Sequence, residues 1–272
     1  MKAVNIFSQH VEEIKKGQLV PVGGRKMNKH IKRAKAALNF GTATGTEEGA
    51  WDRVCAAEMA QTGSSPTGDA EFDKVGYRIV RNICPPELLV TPVPDVRGQL
   101  NYFDKNLNNF TYDSMESQVP GSVARYKYPF FYEAYTTVKH NIEKAISTPL
   151  HKTYYYDRFY FPGEDLKYHC DRDACELSCT IHCSTNLKDV YPVYIKAVDG
   201  SVTAADLKPG DGLVYKGCER PHWRLKMPGV KRQKIRNLLG KDELYYHQIF
   251  MHFVLANGSR SHFAGDSNRN NW

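Results

Sequence analysis

The spacing of apolar and polar residues changes near the middle of the 272-residue chain. Before residue 150 the spacing is mostly helical. Met27, Ile31, Ala34 and Leu38 recur at intervals of three and four, which predicts a short helix over 27–38 whose remaining face is basic. A second short helix is predicted over 48–60. The run QTGSSPTG (61–68) reads as a linker or loop, because Gly, Ser, Thr and Pro favour turns. Residues 75–83 (VGYRIVRNI) read as a strand, and the prolines of 84–94 as an irregular crossing. Over 122–146 the period is helical again. Phe131, Tyr135, Val138, Ile142 and Ile146 form one stripe, and Pro149 is the expected stop.

From residue 154 the period falls to two. Residues 154–161 are aromatic and strand-like, and Pro162-Gly163 makes a turn. Over 176–184 the alternation sorts Cys175, Leu177, Cys179, Ile181 and Cys183 onto one face. Glu176, Ser178, Thr180, His182 and Ser184 take the other. The cysteine face is expected to pack against the helix of 122–146, and the polar face either lines a cavity or meets solvent. Asp199-Gly200 between 191–198 and 201–207 is a two-residue hairpin signal. Pro209-Gly210-Asp211-Gly212 makes a further turn before a strand at 213–215, and 246–256 forms another long strand. The basic stretch 229–242 interrupts the pattern and reads as an exposed loop. Six or more strands without intervening helices predict a mainly β, α+β chain with a jelly-roll or barrel core and flanking helices. The expected division is a basic helical segment over 1–70, a β domain over 71–258 that includes the 122–146 helix, and a flexible tail over 259–272.

The composition, 41% hydrophobic and 12% aromatic, suffices for one good core and so favours one catalytic or binding domain. No apolar run is long enough to cross a bilayer and the N-terminus has no signal-peptide pattern, so a cytoplasmic protein is expected. The net charge of +7 is local: eight Lys/Arg and no acid lie between Ile14 and Thr46. That segment is either a solvated helix or a docking arm for an acidic partner or nucleic acid. Cysteines number seven, and four of them (Cys170, Cys175, Cys179, Cys183) crowd together. Reduced thiols are expected. Their spacing along a strand does not suit one zinc or iron–sulfur site.

The chemistry concentrates in His169-Cys170-Asp171, which follows a strand and a turn. Residues i and i+2 at a strand edge face the same side, so the imidazole and the carboxylate can share a cation. His222, in GDGLVYKGCERPHWR, lies after a later turn and strand and is the natural third ligand. Two histidines and one carboxylate on one face leave positions open on iron(II). Among ten histidines a lone H-x-D arises readily by chance, and the surrounding turns and strands give this one its weight. There is no G-x-S-x-G, P-loop or G-x-G-x-x-G to support a hydrolase, NTPase or dinucleotide reading.

With YYYDRFYFPG before the ligands, HCDRDACELS around the first two, PGDGLVYKG before the third and HWR at it, residues 154–258 resemble the iron(II)/2-oxoglutarate-dependent dioxygenases. The likeness is strongest to prolyl-hydroxylase-like members. It implies a double-stranded β-helix (jelly roll) and iron(II) held by His169, Asp171 and His222. It also implies 2-oxoglutarate and O2 as co-substrates, with decarboxylation to succinate and hydroxylation of a C–H bond in a peptidyl, amino-acid or other small-molecule substrate. Nucleic acid or a non-catalytic metal-binding module are the alternatives. In many relatives a basic residue about ten positions past the distal histidine anchors 2-oxoglutarate, and here that count reaches Arg232 in the basic stretch. Arg224, two residues past His222, is the preferred anchor; the alternative is a surface arginine paired with an acid. Tyr156 and Gln248 are candidates for supporting hydrogen bonds.

Overall fold

In the computed structural model, residues 65–91, 111–113, 118–119 and 121–266 are described. The helices expected over 27–38 and 48–60 and the basic segment lie outside them. The described chain runs α1 (Ala70–Val75), β1 (Tyr77–Val80), β2 (Thr111–Asp113), β3 (Val123–Tyr126), α2 (Tyr132–Ile146), β4 (Leu150–Tyr160), β5 (Leu166–His169) and β6 (Leu177–Thr185). It continues through β7 (Val193–Lys196), β8 (Val202–Ala205), β9 (Gly212–Tyr215), β10 (His222–Arg224), α3 (Val230–Leu238) and β11 (Tyr246–Leu255).

Two antiparallel sheets result, one ordered β1-β9-β6-β11-β4-β3-β2 and the other β5-β10-β7-β8. From β4 onward the chain passes repeatedly between them: β4, β6, β9 and β11 belong to the first sheet, and β5, β7, β8 and β10 to the second. This is a jelly-roll-like winding. Val193, Ile195, Ala205, Leu213 and Tyr215 pack between the sheets at one end. Gly200, with φ of +80°, closes the β7–β8 hairpin in the left-handed region where glycine carries no Cβ penalty. Among the described residues no helix is long and apolar enough to cross a membrane.

The outer face of the larger sheet carries α2. Phe131, Tyr135, Val138, Ile142 and Ile146 are all buried there, against Leu177, Cys179, Ile181 and Cys183 of β6. Cys175 departs from the expected cysteine face. It lies in a 3-10 turn, Asp173–Cys175, and packs with the other core around Tyr154 and Phe250. Cys84, Cys175, Cys179, Cys183 and Cys218 are free, as reduced thiols require. Cys170 is not: it is disulfide-bonded, contrary to the reduced thiol expected there.

Other expectations are corrected. The helical span expected from 122 begins only at Tyr132, because Val123–Tyr126 pairs with β4 as a strand. The expected 75–83 strand shortens to Tyr77–Val80, and Asp69 and Gly76 cap the short helix before it. The exposed loop expected over 229–242 contains α3; Gly229 precedes it, and its interior of Lys, Arg, Gln and Leu has good helix propensity. The segment after 258 is held in place as far as Asp266. Arg260, nearly inaccessible to solvent, pairs with Asp173, and Asp266 pairs with Arg172.

Arg125 of β3, Asp157 of β4 and His247 of β11 form a fully buried network across three neighbouring strands. The Arg125 guanidinium grips Asp157, His247 Nε2 lies 2.7 Å from Asp157 Oδ2, and Phe159 stacks on the imidazole. Arg125 and His247 hold the Asp157 carboxyl below its ordinary range against the opposing effect of burial. Removing one member of such a network strands the others. Asp157→Ala is expected to cost ~3–5 kcal/mol in a urea-unfolding experiment; a loss below ~1 kcal/mol would show that the network contributes little.

Candidate metal centre

β10 lies between β5 and β7, and its register sets His222 directly opposite His169. Opposed residues on neighbouring strands share a face, so the two imidazoles meet with ring centroids 4.3 Å apart. Asp171 follows β5 by two residues. Its Oδ1 lies 3.7 Å from His169 Nε2 and 3.5 Å from His222 Nε2. The three ligand atoms fall within 4.8 Å of one another.

Backbone carbonyls set the tautomers. His169 Nδ1 lies 2.7 Å from the Lys167 carbonyl and His222 Nδ1 lies 3.1 Å from the Arg220 carbonyl. A carbonyl only accepts, so each Nδ1 carries the proton and each Nε2 offers a lone pair. In this structure Gln118 Nε2 donates to His169 Nε2 at 3.0 Å, and the Tyr215 hydroxyl to His222 Nε2 at 3.2 Å. Burial, with His222 adding and Asp171 opposing, lowers the His169 pKa to about 4; burial alone does the same for His222. Both rings are therefore neutral ligands at pH 7.

The Asp171 backbone is held by its N–H to the Gly217 carbonyl, at 2.9 Å. Gly217 also leaves space for the carboxylate. A Cβ there would sit 2.7 Å from Asp171 Oδ2, 2.7 Å from Ser178 Oγ and 2.2 Å from the Cys175 carbonyl oxygen. The polar face of β6 turns inward: Ser178, Thr180 and His182 are buried, and Ser178 Oγ donates to Asp171 Oδ2 at 2.7 Å.

Arg224 is buried, not a surface residue. Its guanidinium donates to the Tyr191 carbonyl and to Gln248 Oε1, and it lies over the rings of Tyr246, Tyr191 and Tyr160. None of these hydrogen bonds goes to a carboxylate. Arg224 Nε and Gln248 Nε2 are buried donors without a partner. Leaving a buried donor unmet costs ~1–3 kcal/mol, so this end of the interior suits an anion with acceptor oxygens. Arg232 stands on α3 near Asp189, 3.9 Å away, and is not part of the interior group. Tyr156 stacks between Tyr126 and Phe250 on the inner face, and its ring lies 5.8 Å from His252; among the described residues it makes no hydrogen bond to Arg224 or Gln248.

Several interior residues were not singled out from the sequence. Gln118 and His252 carry no motif, and Tyr215 and Gly217 lie within the PGDGLVYKG run without a role of their own assigned there. His252 shares its strand face with Gln248, which was the one available signal.

No protein-family model matches the chain. No curated protein matches it either. Similar solved structures include a prolyl-4-hydroxylase from Pseudomonas putida, at 14% identity over 67% of this chain and 95% of that one, with a TM-score of 0.45. HygX from Streptomyces hygroscopicus, solved with nickel and 2-oxoglutarate, is similar at 10% identity over 69% and 85%, with a TM-score of 0.44. An oxidoreductase of the 2OG-Fe(II) oxygenase family from Burkholderia pseudomallei is similar at 9% over 70% and 89%, with a TM-score of 0.43. At these identities and scores they assign no activity to this chain, and the reading below rests on its own residues.

Two outcomes follow from the geometry. Gly217→Ala, which drives a methyl into Asp171, is expected to weaken binding of a divalent cation at least tenfold by calorimetry; unchanged affinity would mean that Asp171 is not a ligand. The second concerns pH. His169, His182, His222 and His252 are each lowered to about 4 by burial, so between pH 6.5 and 4 the unfolded chain takes up protons that the folded chain refuses. Glu164, raised to about 8, and Glu176, also raised, act in the opposite sense but are fewer. The melting temperature of the metal-free protein is therefore expected to fall as pH drops from 7 to 4.5; a constant or rising value would contradict these burials.

Proposed function

We propose that this chain is an iron(II)- and 2-oxoglutarate-dependent oxygenase that hydroxylates a C–H bond, with His169, Asp171 and His222 as the metal ligands and Arg224 as the anchor of the 2-oxoglutarate side-chain carboxylate. The observation that carries the reading is one strand. On β10, His222 faces His169 while Arg224, two residues on, is buried without a carboxylate partner. Two residues along a strand separate by ~6.6 Å, a spacing that suits a short dicarboxylate lying between a cation and a guanidinium.

The residues fit the group by their chemistry. Two neutral imidazoles and one carboxylate are the donor set of non-haem iron oxygenases, and they leave coordination positions for a keto acid and O2. Bound there, iron(II) with 2-oxoglutarate and O2 would supply oxidising power, with carbon dioxide and succinate released. The protein's part is binding and orientation. Arg224, with Gln248 beside it, would receive the far carboxylate, and the rings of Tyr191, Tyr246 and Tyr160 surround the guanidinium and keep water from it. Tyr126, Tyr156 and Phe250 make a stacked aromatic wall, with Tyr154 and His252 beside it near Asp171. Such a wall favours an apolar, C–H-bearing group, and a prolyl-like or other amino-acid side chain is the substrate class we favour.

The test is oxygen-dependent succinate formation by protein stripped of metal and reloaded with iron(II), assayed with 2-oxoglutarate. Asp171→Ala is expected to abolish it. Arg224→Met is expected to raise the 2-oxoglutarate concentration for half-saturation by roughly 10- to 100-fold, as loss of a charged hydrogen bond of ~1.5–3 kcal/mol implies. Stoichiometric, chelator-resistant zinc, or an unchanged 2-oxoglutarate requirement in Arg224→Met, would sink the assignment.

A further inference from the structure

Asp171 has two carboxylate oxygens, and the structure treats them differently. Oδ1 faces the Nε2 atoms of His169 and His222. Oδ2 accepts a hydrogen bond from Ser178 Oγ at 2.7 Å. The same Ser178 Oγ lies 2.9 Å from His252 Nδ1. A serine hydroxyl has one hydrogen; the Asp171 carboxylate at 2.7 Å takes it ahead of the more distant Cys175 carbonyl at 3.4 Å, and neither acceptor can donate. The bond to His252 must then run the other way, from Nδ1–H to Oγ. The result is a directed chain: His252 Nδ1–H to Ser178 Oγ–H to Asp171 Oδ2.

Every link is fixed by the fold. Ser178 of β6 and His252 of β11 are directly opposite one another in the sheet ladder. The His252 ring lies tilted against Tyr154, centroids 4.6 Å apart, and stacks with Tyr156 at 5.8 Å. Ser178 and His252 are both almost wholly buried, so water does not compete for these bonds. His252 Nε2 is buried without a partner, so the ring's one protein hydrogen bond is the one that leads to Asp171.

We propose that Ser178 and His252 are positioning residues that tie down Oδ2 of Asp171 and thereby present Oδ1 alone to the metal. The inference rests on the metal centre proposed above and extends it. A carboxylate held by one oxygen cannot swing to chelate with both, which keeps a coordination position open for the keto acid. The polarised hydrogen bond also withdraws charge from the carboxylate and orients it before metal arrives. The competing use of these groups is as ligands themselves, because Asp171, Cys175 and His252 also bring their ligand atoms within 4.8 Å of one another.

Cobalt(II) titration of the metal-free protein, followed by absorption spectroscopy and calorimetry, separates the possibilities. Ser178→Val, matched in bulk by Ser178→Thr, and His252→Phe, which keeps the ring contacts, both delete the hydrogen bond. Ser178→Thr keeps the hydroxyl, and His252→Asn keeps a donor at the Nδ1 position while losing the ring. Positioning predicts that Val and Phe weaken cobalt binding about 10- to 100-fold, whereas Thr and Asn stay closer to wild type. A purely structural role predicts the reverse order at 252, because Phe preserves the packing; melting temperatures of the metal-free variants report that packing separately. Wild-type affinity in Ser178→Val and His252→Phe overturns the proposal. So does a cobalt–thiolate charge-transfer band that disappears in Cys175→Ala, since His252 would then sit among the ligands of a different site. If wild type binds no cobalt, or Asp171→Ala binds it equally well, the metal centre itself falls and takes this inference with it.

Discussion

The register of β10 against β5 is the constraint on which the site depends. It sets His222 opposite His169, and because opposed side chains share a face, both imidazoles reach the point where Asp171 leaves the end of β5. A slip of one residue would turn His222 to the other face and bring Trp223 inward. β7 pairs with the other edge of β10, Ile195 opposite His222 and Tyr194 opposite Trp223, so the register is held from both sides. Gly217 completes the arrangement from the loop before β10, where its carbonyl holds the Asp171 backbone and its missing side chain admits the carboxylate.

Electrostatics divides the interior into two poles. Near the metal ligands burial favours neutral imidazole, so the histidines wait unprotonated for a cation. At the other pole Arg224 is kept as a cation among aromatic rings, whose faces offset part of its lost hydration. A cation site and a buried guanidinium on one short strand favour a ligand with negative charge at both ends. The Arg125–Asp157–His247 network lies on the other, larger sheet, with its charges paired inside the protein. Both interiors contain buried arginine and histidine with some donors unmet; only Arg224 lacks a carboxylate partner, and that interior is the one that suggests an anionic ligand.

Strand β6 shows how one alternating segment serves both needs. Leu177, Cys179, Ile181 and Cys183 pack under α2, where burial pushes the Cys179 and Cys183 thiols far above their ordinary pKa and makes them unreactive. Ser178, Thr180 and His182 face inward, and Ser178 reaches the metal ligand. Period two predicted this partition but left open whether the polar face met solvent or a cavity. The second sheet decides that, since it covers the face.

The sequence by itself determined the strand-rich second half, the apolar stripe of α2, the β7–β8 turn at Asp199-Gly200, and the candidates His169, Asp171 and His222. These are local: they follow from period, turn chemistry and short spacing. The same local reading extended the 122–146 helix over a strand and read α3 as a loop. Strand pairing with β4 outweighed intrinsic preference in the first case, and the basic residues there masked good helix propensity in the second. Only the tertiary structure decided that Arg224 is buried without an acid, that Gly217 makes room for Asp171, and that His252 reaches Asp171 through Ser178. Each of these depends on strands far apart in the chain being brought into register, and no spacing along one segment encodes a contact between residues 171, 178, 217 and 252.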